Sequence, residues 1–223
     1  PLGGSGEIGM NMNLFAYGNP ENRKWIIVDI GVTFTDDSYP GIDLIYPDPG
    51  FIIEKKNDLL GIVLTHGHED HIGAITHIWP KLKCKIFATP FTAILIKEKF
   101  KEKQIDITKS LEIVNLNGTI ELGPFKIEYI TLTHSILEPN GLRIETPAGV
   151  ILHTGDWKVD PNPLIGDKIN SERLKKIGTK LIKCPSEVGF HWHPPFNCEQ
   201  IDSLIAQEKE RAKMALVFYK KHP

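Results

Sequence analysis

The residues best equipped for chemistry sit in one short stretch, Thr65-His66-Gly67-His68-Glu69-Asp70-His71-Ile72-Gly73. Of the nine histidines in 223 residues, three fall within positions 66–71 together with an aspartate. His66 and His68 are two apart, so in an extended turn both rings can converge on one cation. Asp70 and His71 leave in another direction as the chain enters a helix, and can serve a second cation. Imidazole and carboxylate together suit Zn²⁺ or Mn²⁺. A solvated polar turn that happens to carry histidines is the plainer alternative, and the density of ligands argues against it.

Such a cluster needs rigid elements to hold it. Residues 25–28 read as a buried strand ending at Asp29-Ile30-Gly31, and residues 59–64 as another that ends where the histidines begin. Thr89-Pro90 opens a helix to about Lys103, with proline suited to the first turn. Residues 110–133 read as strands separated by Asn117-Gly118 and Gly123-Pro124; Asn-Gly between apolar runs predicts a hairpin. A second hairpin spans 143–153, turning at Pro147-Ala148-Gly149. A short helix at 171–177 would be capped by Gly178, and residues 199–219 form a longer helical candidate. Hairpins followed by helices predict an α/β sandwich of layered sheets rather than a nucleotide-binding fold.

Composition narrows the class. The chain is 41% hydrophobic and 24% charged, enough for one sizeable core. A net charge of -2 lacks the basic footprint of a general nucleic-acid binder, so an RNA substrate would be met by local patches or by the cations. The mixed-charge run at 97–103 reads as a solvated helix face rather than an RNA contact. Cys84, Cys184 and Cys198 are too scattered for a disulfide framework and fit a reducing compartment. No apolar run approaches a membrane span and no signal peptide is visible, so a cytoplasmic protein with no membrane partner is expected. The start at Pro1, without an initiator methionine, is what a fragment would show.

One motif misleads. Gly4-Ser5-Gly6-Glu7-Ile8-Gly9 matches a dinucleotide fingerprint, with Asp29 near the place of a ribose-binding acid. That fingerprint requires a helix to open at the glycines, whereas residues 10–17 are short and strand-like. The glycines are better read as a tight turn near a substrate.

The pattern His66-x-His68-x-Asp70-His71 resembles the signature of the metallo-β-lactamase superfamily. The resemblance implies an αββα sandwich with the metals at one edge. It implies a further ligand at His134, in Tyr129-Ile130-Thr131-Leu132-Thr133-His134, and an aspartate bridging both metals at Asp156, in His153-Thr154-Gly155-Asp156. Alone, a histidine after a strand or a Thr-Gly-Asp turn is more often structural. Asp29 resembles the family's structural aspartate. His153 matches no ligand position and reads as a residue that supports the ligands from behind or as a structural one; His77, two turns into a helix, reads as a surface or packing residue.

Three stretches, PLGGSGEIGMNM at 1–12, GIDLIYPD at 41–48 and TPAGVILHTGDWKVD at 146–160, with His134-Ser135-Ile136, are similar to the amino-terminal half of the ribonuclease J family, in the β-CASP branch of the superfamily. The resemblance covers residues 1–177. It implies a metal-dependent 5′-exo- and endoribonuclease in RNA processing and decay. One metal would take His66, His68 and His134, the other Asp70 and His71, with Asp156 between them. Two cations about 3.5–4 Å apart can bring a shared water to deprotonate near neutral pH. Asp70, His71 and Asp156 are thus the catalytic candidates, Zn²⁺ the first choice at two sites with the second weaker, and Mn²⁺ the other choice. Against a true β-lactamase stand Asp156, where one large class of those enzymes uses cysteine, and the absent secretory signal.

The similarity fades beyond residue 178, so residues 1–178 are read as a partial domain and 179–223 as a divergent segment. The family continues into a β-CASP domain and returns with another metal-binding histidine, for which this chain has no room. Such truncation predicts a weaker second metal, and apolar surface covered by a homo-oligomer or by a partner supplying the other half. His191 and His193 repeat the two-residue spacing, though a plain Pro-rich polar segment is the simpler reading. Two other functions stay open: a small-molecule hydrolase of lactamase or thioesterase type, and a non-catalytic fragment that binds metal or RNA.

Overall fold

A computed structural model of the chain describes residues 1–5, 8–35 and 39–178. The expected helix at 199–219, the Pro-rich stretch at 185–196 and His191 and His193 lie outside the described residues.

Strand β1 (Asn13–Tyr17) runs antiparallel to β2 (Lys24–Val28), so the stretch after the glycines is a strand, as the dinucleotide reading could not accommodate. A small ribbon follows, β3 (Thr33–Phe34) with β4 (Leu44–Ile45), then the short helix α1 (Gly50–Glu54). Strand β5 (Leu59–Val63) lies parallel to β2. Helices α2 (Glu69–Ile72) and α3 (Ile75–Leu82) carry the chain to β6 (Ile86–Ala88), parallel to β5. Helix α4 (Pro90–Glu102) then leads to β7 (Leu111–Ile113), parallel to β6. Parallel neighbours need such crossovers, because a tight turn cannot reverse the chain twice. The first sheet therefore has the order β1-β2-β5-β6-β7.

The second sheet is antiparallel throughout, with strands β8 (Thr119–Leu122), β9 (Phe125–Thr131), β10 (Asn140–Thr146) and β11 (Gly149–His153) in the order β11-β10-β9-β8. The β10–β11 hairpin pairs Thr146 with Gly149, matching the turn expected there. Helix α5 (Ser171–Gly178) closes the described residues.

Alternation along the strands builds three apolar layers. Ile27, Ile62 and Leu64 face helices α3 and α4, meeting Ile75, Ile78, Ile96 and Phe100. Ile26, Val28 and Val63 face the other way, onto Phe125, Ile127, Tyr129, Leu142 and Ile144 of the second sheet. Ile130 and Leu132, on the outer face of that sheet, pack with Trp157, Ile169, Leu174 and Ile177. Helices, sheet, sheet and helix are thus stacked as an αββα sandwich. Between the sheets the Tyr129 hydroxyl donates to the Phe87 carbonyl at 3.1 Å, spending its polar end where it could not reach water.

One expectation is corrected. Asn117-Gly118 does not turn a hairpin, because β7 belongs to the first sheet and β8 to the second. The left-handed Asn117 (φ 56) instead carries the chain across the sandwich, and its Oδ1 accepts from the Thr131 N–H at 3.2 Å. The hairpin of this region turns at Gly123-Pro124, between the paired Leu122 and Phe125.

Candidate metal centre

The candidate ligands leave the same end of the sandwich on separate loops. His66 and His68 follow β5, Asp70 and His71 lie in α2, His134 precedes β10, and Asp156 follows β11. Beneath them, the Asn140 amide donates to the Thr65 carbonyl at 3.0 Å. Gly155 packs on the same spot: a Cβ there would stand 2.9 Å from the Asn140 carbonyl oxygen and 3.4 Å from the Thr65 side chain. Three of the loops are therefore fastened at one buried point.

Residues 29–32 hold α2. The Ile30 N–H donates to the His71 carbonyl at 2.7 Å, and the Val32 N–H to the Glu69 carbonyl at 3.0 Å. Gly31 lies flush against this turn, where a Cβ would stand 1.6 Å from the Asp70 carbonyl oxygen. Only glycine lets the two backbones approach so closely.

Asp29 is fully buried at a left-handed φ of 63°. Its carboxylate accepts from the Thr65 N–H, the Thr65 hydroxyl and His71 Nδ1, each at 2.8 Å. The Thr65 hydroxyl gives its one hydrogen to Asp29, so it can only accept from His66 Nδ1, 3.0 Å away. That bond puts the lone pair on His66 Nε2, which lies 3.1 Å from His68 Nδ1. In the same way Asp29 occupies His71 Nδ1 and turns Nε2 toward the site. Metal-binding histidines are commonly oriented by such partners.

Two sets of ligand atoms converge, with every atom within 4.8 Å of the others in its set: His66, His68 and His134, and His66, His71 and Asp156. The first is the trio anticipated for one cation. In the second, His71 and Asp156 come together as anticipated, but with His66; Asp70 stands beside that trio, its Oδ2 3.4 Å from His71 Nε2. Asp156 Oδ2 lies 3.4 Å from His71 Nε2 and 3.8 Å from His134 Nε2, between the two sets. His153 meets Phe15 edge-on, and His77 stacks on Tyr46.

The electrostatics suit a cation. Burial, with the charge of His71 nearby, pushes His66 down to about 3, and burial also lowers His134, so both offer neutral nitrogens. The hydrogen bond from His71 outweighs burial to bring Asp156 down to about 2, and the same partner lowers Asp70. Burial would lower His71, but Asp29, Asp156 and Asp70 around it raise it to about 12. Without a metal, then, one imidazolium balances a nest of carboxylates. The fit is chemical as well as geometric: imidazoles and carboxylates crowd one end of the fold, and a divalent cation meets the charge that the His71 proton otherwise meets.

One residue escaped the sequence reading. Asn11 Nδ2 lies 3.1 Å from the Asp70 carbonyl oxygen, 3.3 Å from Asp70 Oδ2 and 3.1 Å from His71 Nε2. Its backbone N–H also donates to the Asp70 carbonyl at 2.9 Å. The available signal was the adjacent glycine-rich turn, since Gly4 leaves room for Asn11: a Cβ there would stand 2.4 Å from Asn11 Oδ1.

Comparison with known proteins agrees with this architecture. A profile described as the Beta-lactamase superfamily domain matches residues 24–177, a span holding all six candidate ligands. The chain belongs to that superfamily. Among curated proteins it is 44% identical over 180 residues to ribonuclease J of Sinorhizobium meliloti, covering 80% of this chain and 32% of that protein. It is 38% identical over 181 residues to ribonuclease J of Helicobacter pylori (strain 26695), covering 81% of this chain and 26% of that protein. The chain thus spans roughly a quarter to a third of the length of these relatives. In fold it resembles a metallo-β-lactamase from Cronobacter sakazakii, with TM-score 0.57 and 15% identity over 97% of this chain and 95% of that one.

Proposed function

We propose that this chain is the metal-binding part of a ribonuclease J-like enzyme that hydrolyses phosphodiester bonds in RNA, acting in cytoplasmic RNA processing and decay. The observation that carries the proposal is the similarity to proteins named ribonuclease J over about 80% of the chain; the convergence of His66, His68 and His134, and of His66, His71 and Asp156, supports it. Residues 1–178 would form the catalytic part, and residues 179–223 a separate, divergent segment.

In this reading His66, His68 and His134 hold one Zn²⁺, and His71 with Asp70 holds the other, with Mn²⁺ as the alternative metal. Asp156 would lie between them, which its two contacts with His71 and His134 support. When bound, such a pair supplies Lewis-acid polarisation of a phosphoryl oxygen and a water of lowered pKa. The protein's own part is to hold its imidazoles neutral and aimed, through Asp29 and Thr65. Asp70, fixed by Asn11, would accept the proton of the attacking water and orient it for in-line attack.

The test measures metal content beside cleavage of labelled 5′-monophosphorylated RNA, with and without chelator, using a chromogenic β-lactam as control. About two ions per chain and chelator-sensitive RNA cleavage are expected. Asp70→Ala and His71→Ala should each reduce cleavage by about 10²–10⁴-fold while circular dichroism stays unchanged. Full activity in both variants, or turnover of the β-lactam alone, would overturn the proposal.

A further inference from the structure

Helix α4 starts in an unusual way. Thr89 stands at its N-cap, a residue type whose hydroxyl normally accepts an N–H of the first turn, yet it makes no such bond. The Thr89 and Thr92 hydroxyls are both buried without a hydrogen-bond partner. Pro90 brings no N–H. The next donor, the Phe91 N–H, goes instead to Glu138 Oε2 at 2.8 Å, a carboxylate 47 residues further along the chain. A negative group at a helix N-terminus is favourable, but a local cap would have served the helix equally well.

Glu138 sits four residues after His134, on the loop that presents that ligand. It adopts a left-handed φ of 53°, which a residue with a side chain rarely does without an external hold. Its carbonyl accepts from the Asn140 amide at 2.7 Å, the same amide that reaches the Thr65 carbonyl next to His66. The loop is closed at its base by the Leu132 N–H, which donates to the Pro139 carbonyl at 2.9 Å. Its middle packs on the histidine turn: a Cβ on Gly67 would stand 2.5 Å from Leu95 of α4 and 3.5 Å from Ile136.

We propose that Glu138 is a positioning residue for His134: by tying the 134–138 loop to the N-terminus of α4, it sets where that imidazole meets His66 and His68. The inference rests on the proposed metal centre and adds a residue to it. Helix α4 is itself fastened to the histidine turn through Lys99 and Glu69, 2.6 Å apart, so one rigid helix references both sides of the trio. Glu138 touches no candidate ligand atom; it acts through the loop alone.

The experiment is a metal-competition titration of the full chain with Zn²⁺, and with Co²⁺ read by its visible absorption. Glu138→Ala should weaken one of two ions by about 10–100-fold and change that ion's Co²⁺ spectrum, leaving the other ion unaltered. Glu138→Gln, which keeps an acceptor oxygen, should recover most of the affinity. In a His134→Ala background, Glu138→Ala should cause no further loss, because its effect passes through the missing imidazole. Wild-type affinity for both ions in Glu138→Ala, or an equal loss with and without His134, would overturn the positioning role while leaving the metal centre intact. A wild-type chain that binds no ion would overturn the metal centre, and this role with it.

Discussion

Among single residues, Asp29 shows how a buried charge is held: it accepts two bonds from Thr65 and one from His71, whose ring is its counter-charge. Replacing it by alanine strands two buried donors on Thr65 and frees the His71 ring to rotate. Each stranded group costs about 1–3 kcal/mol. Asp29→Ala should therefore lower stability by about 2–5 kcal/mol in urea unfolding with chelator present, and weaken cation binding by about 10–100-fold. An unchanged unfolding midpoint would contradict the bonding pattern. The candidate ligands stood out in the sequence because four of them share six positions. Their supports were not: Asn11 lies 59 residues from Asp70, and Glu138 lies 47 from the helix it caps, separations at which residue type alone carries no pairing information.

Elements were legible where local pattern and burial agree. The apolar run of β5 ends just before the histidines, and Thr89-Pro90 marks the start of α4. Asn117-Gly118 misled because a turn signal reports a local reversal and not which sheet receives the next strand. Metal-site geometry also depends on how elements touch. Gly31 fixes the distance between the end of β2 and helix α2, with no room for a methyl group against the Asp70 carbonyl. Gly31→Ala must push the two backbones apart, at a cost of about 1–3 kcal/mol or more. Because the displaced turn carries Asp70 and His71, metal affinity should fall along with stability. Thermal unfolding paired with metal titration checks this; a variant destabilised but binding both ions normally would show that the turn relaxes elsewhere.

At the scale of the whole molecule, the two sheets divide the site between them. The first supplies His66, His68, Asp70 and His71 and their supports from residues 11–32, while the second supplies His134 and Asp156. The layered class was readable from the hairpins and the histidine signature together; which strands enter which sheet was not, because pairing between distant segments is decided by packing.

The crossing at Asn117-Gly118 makes that division a matter of connectivity. It is the one covalent link between the sheets among the described residues, and it is short and left-handed. Cutting the chain there would give two polypeptides, each with part of the ligand set and one face of the inter-sheet core. Their reassociation should be driven partly by burial of that core and partly by the ion they share, so that split halves rejoin more tightly with Zn²⁺ than with chelator. Co-expressed fragments 1–117 and 118–223, with recovery measured by pull-down in each condition, would read this out. Metal-independent recovery would mean that the apolar interface alone suffices. Metal-dependent recovery would make the sandwich a two-part lock whose key is the cation, a property usable for reporting intracellular zinc.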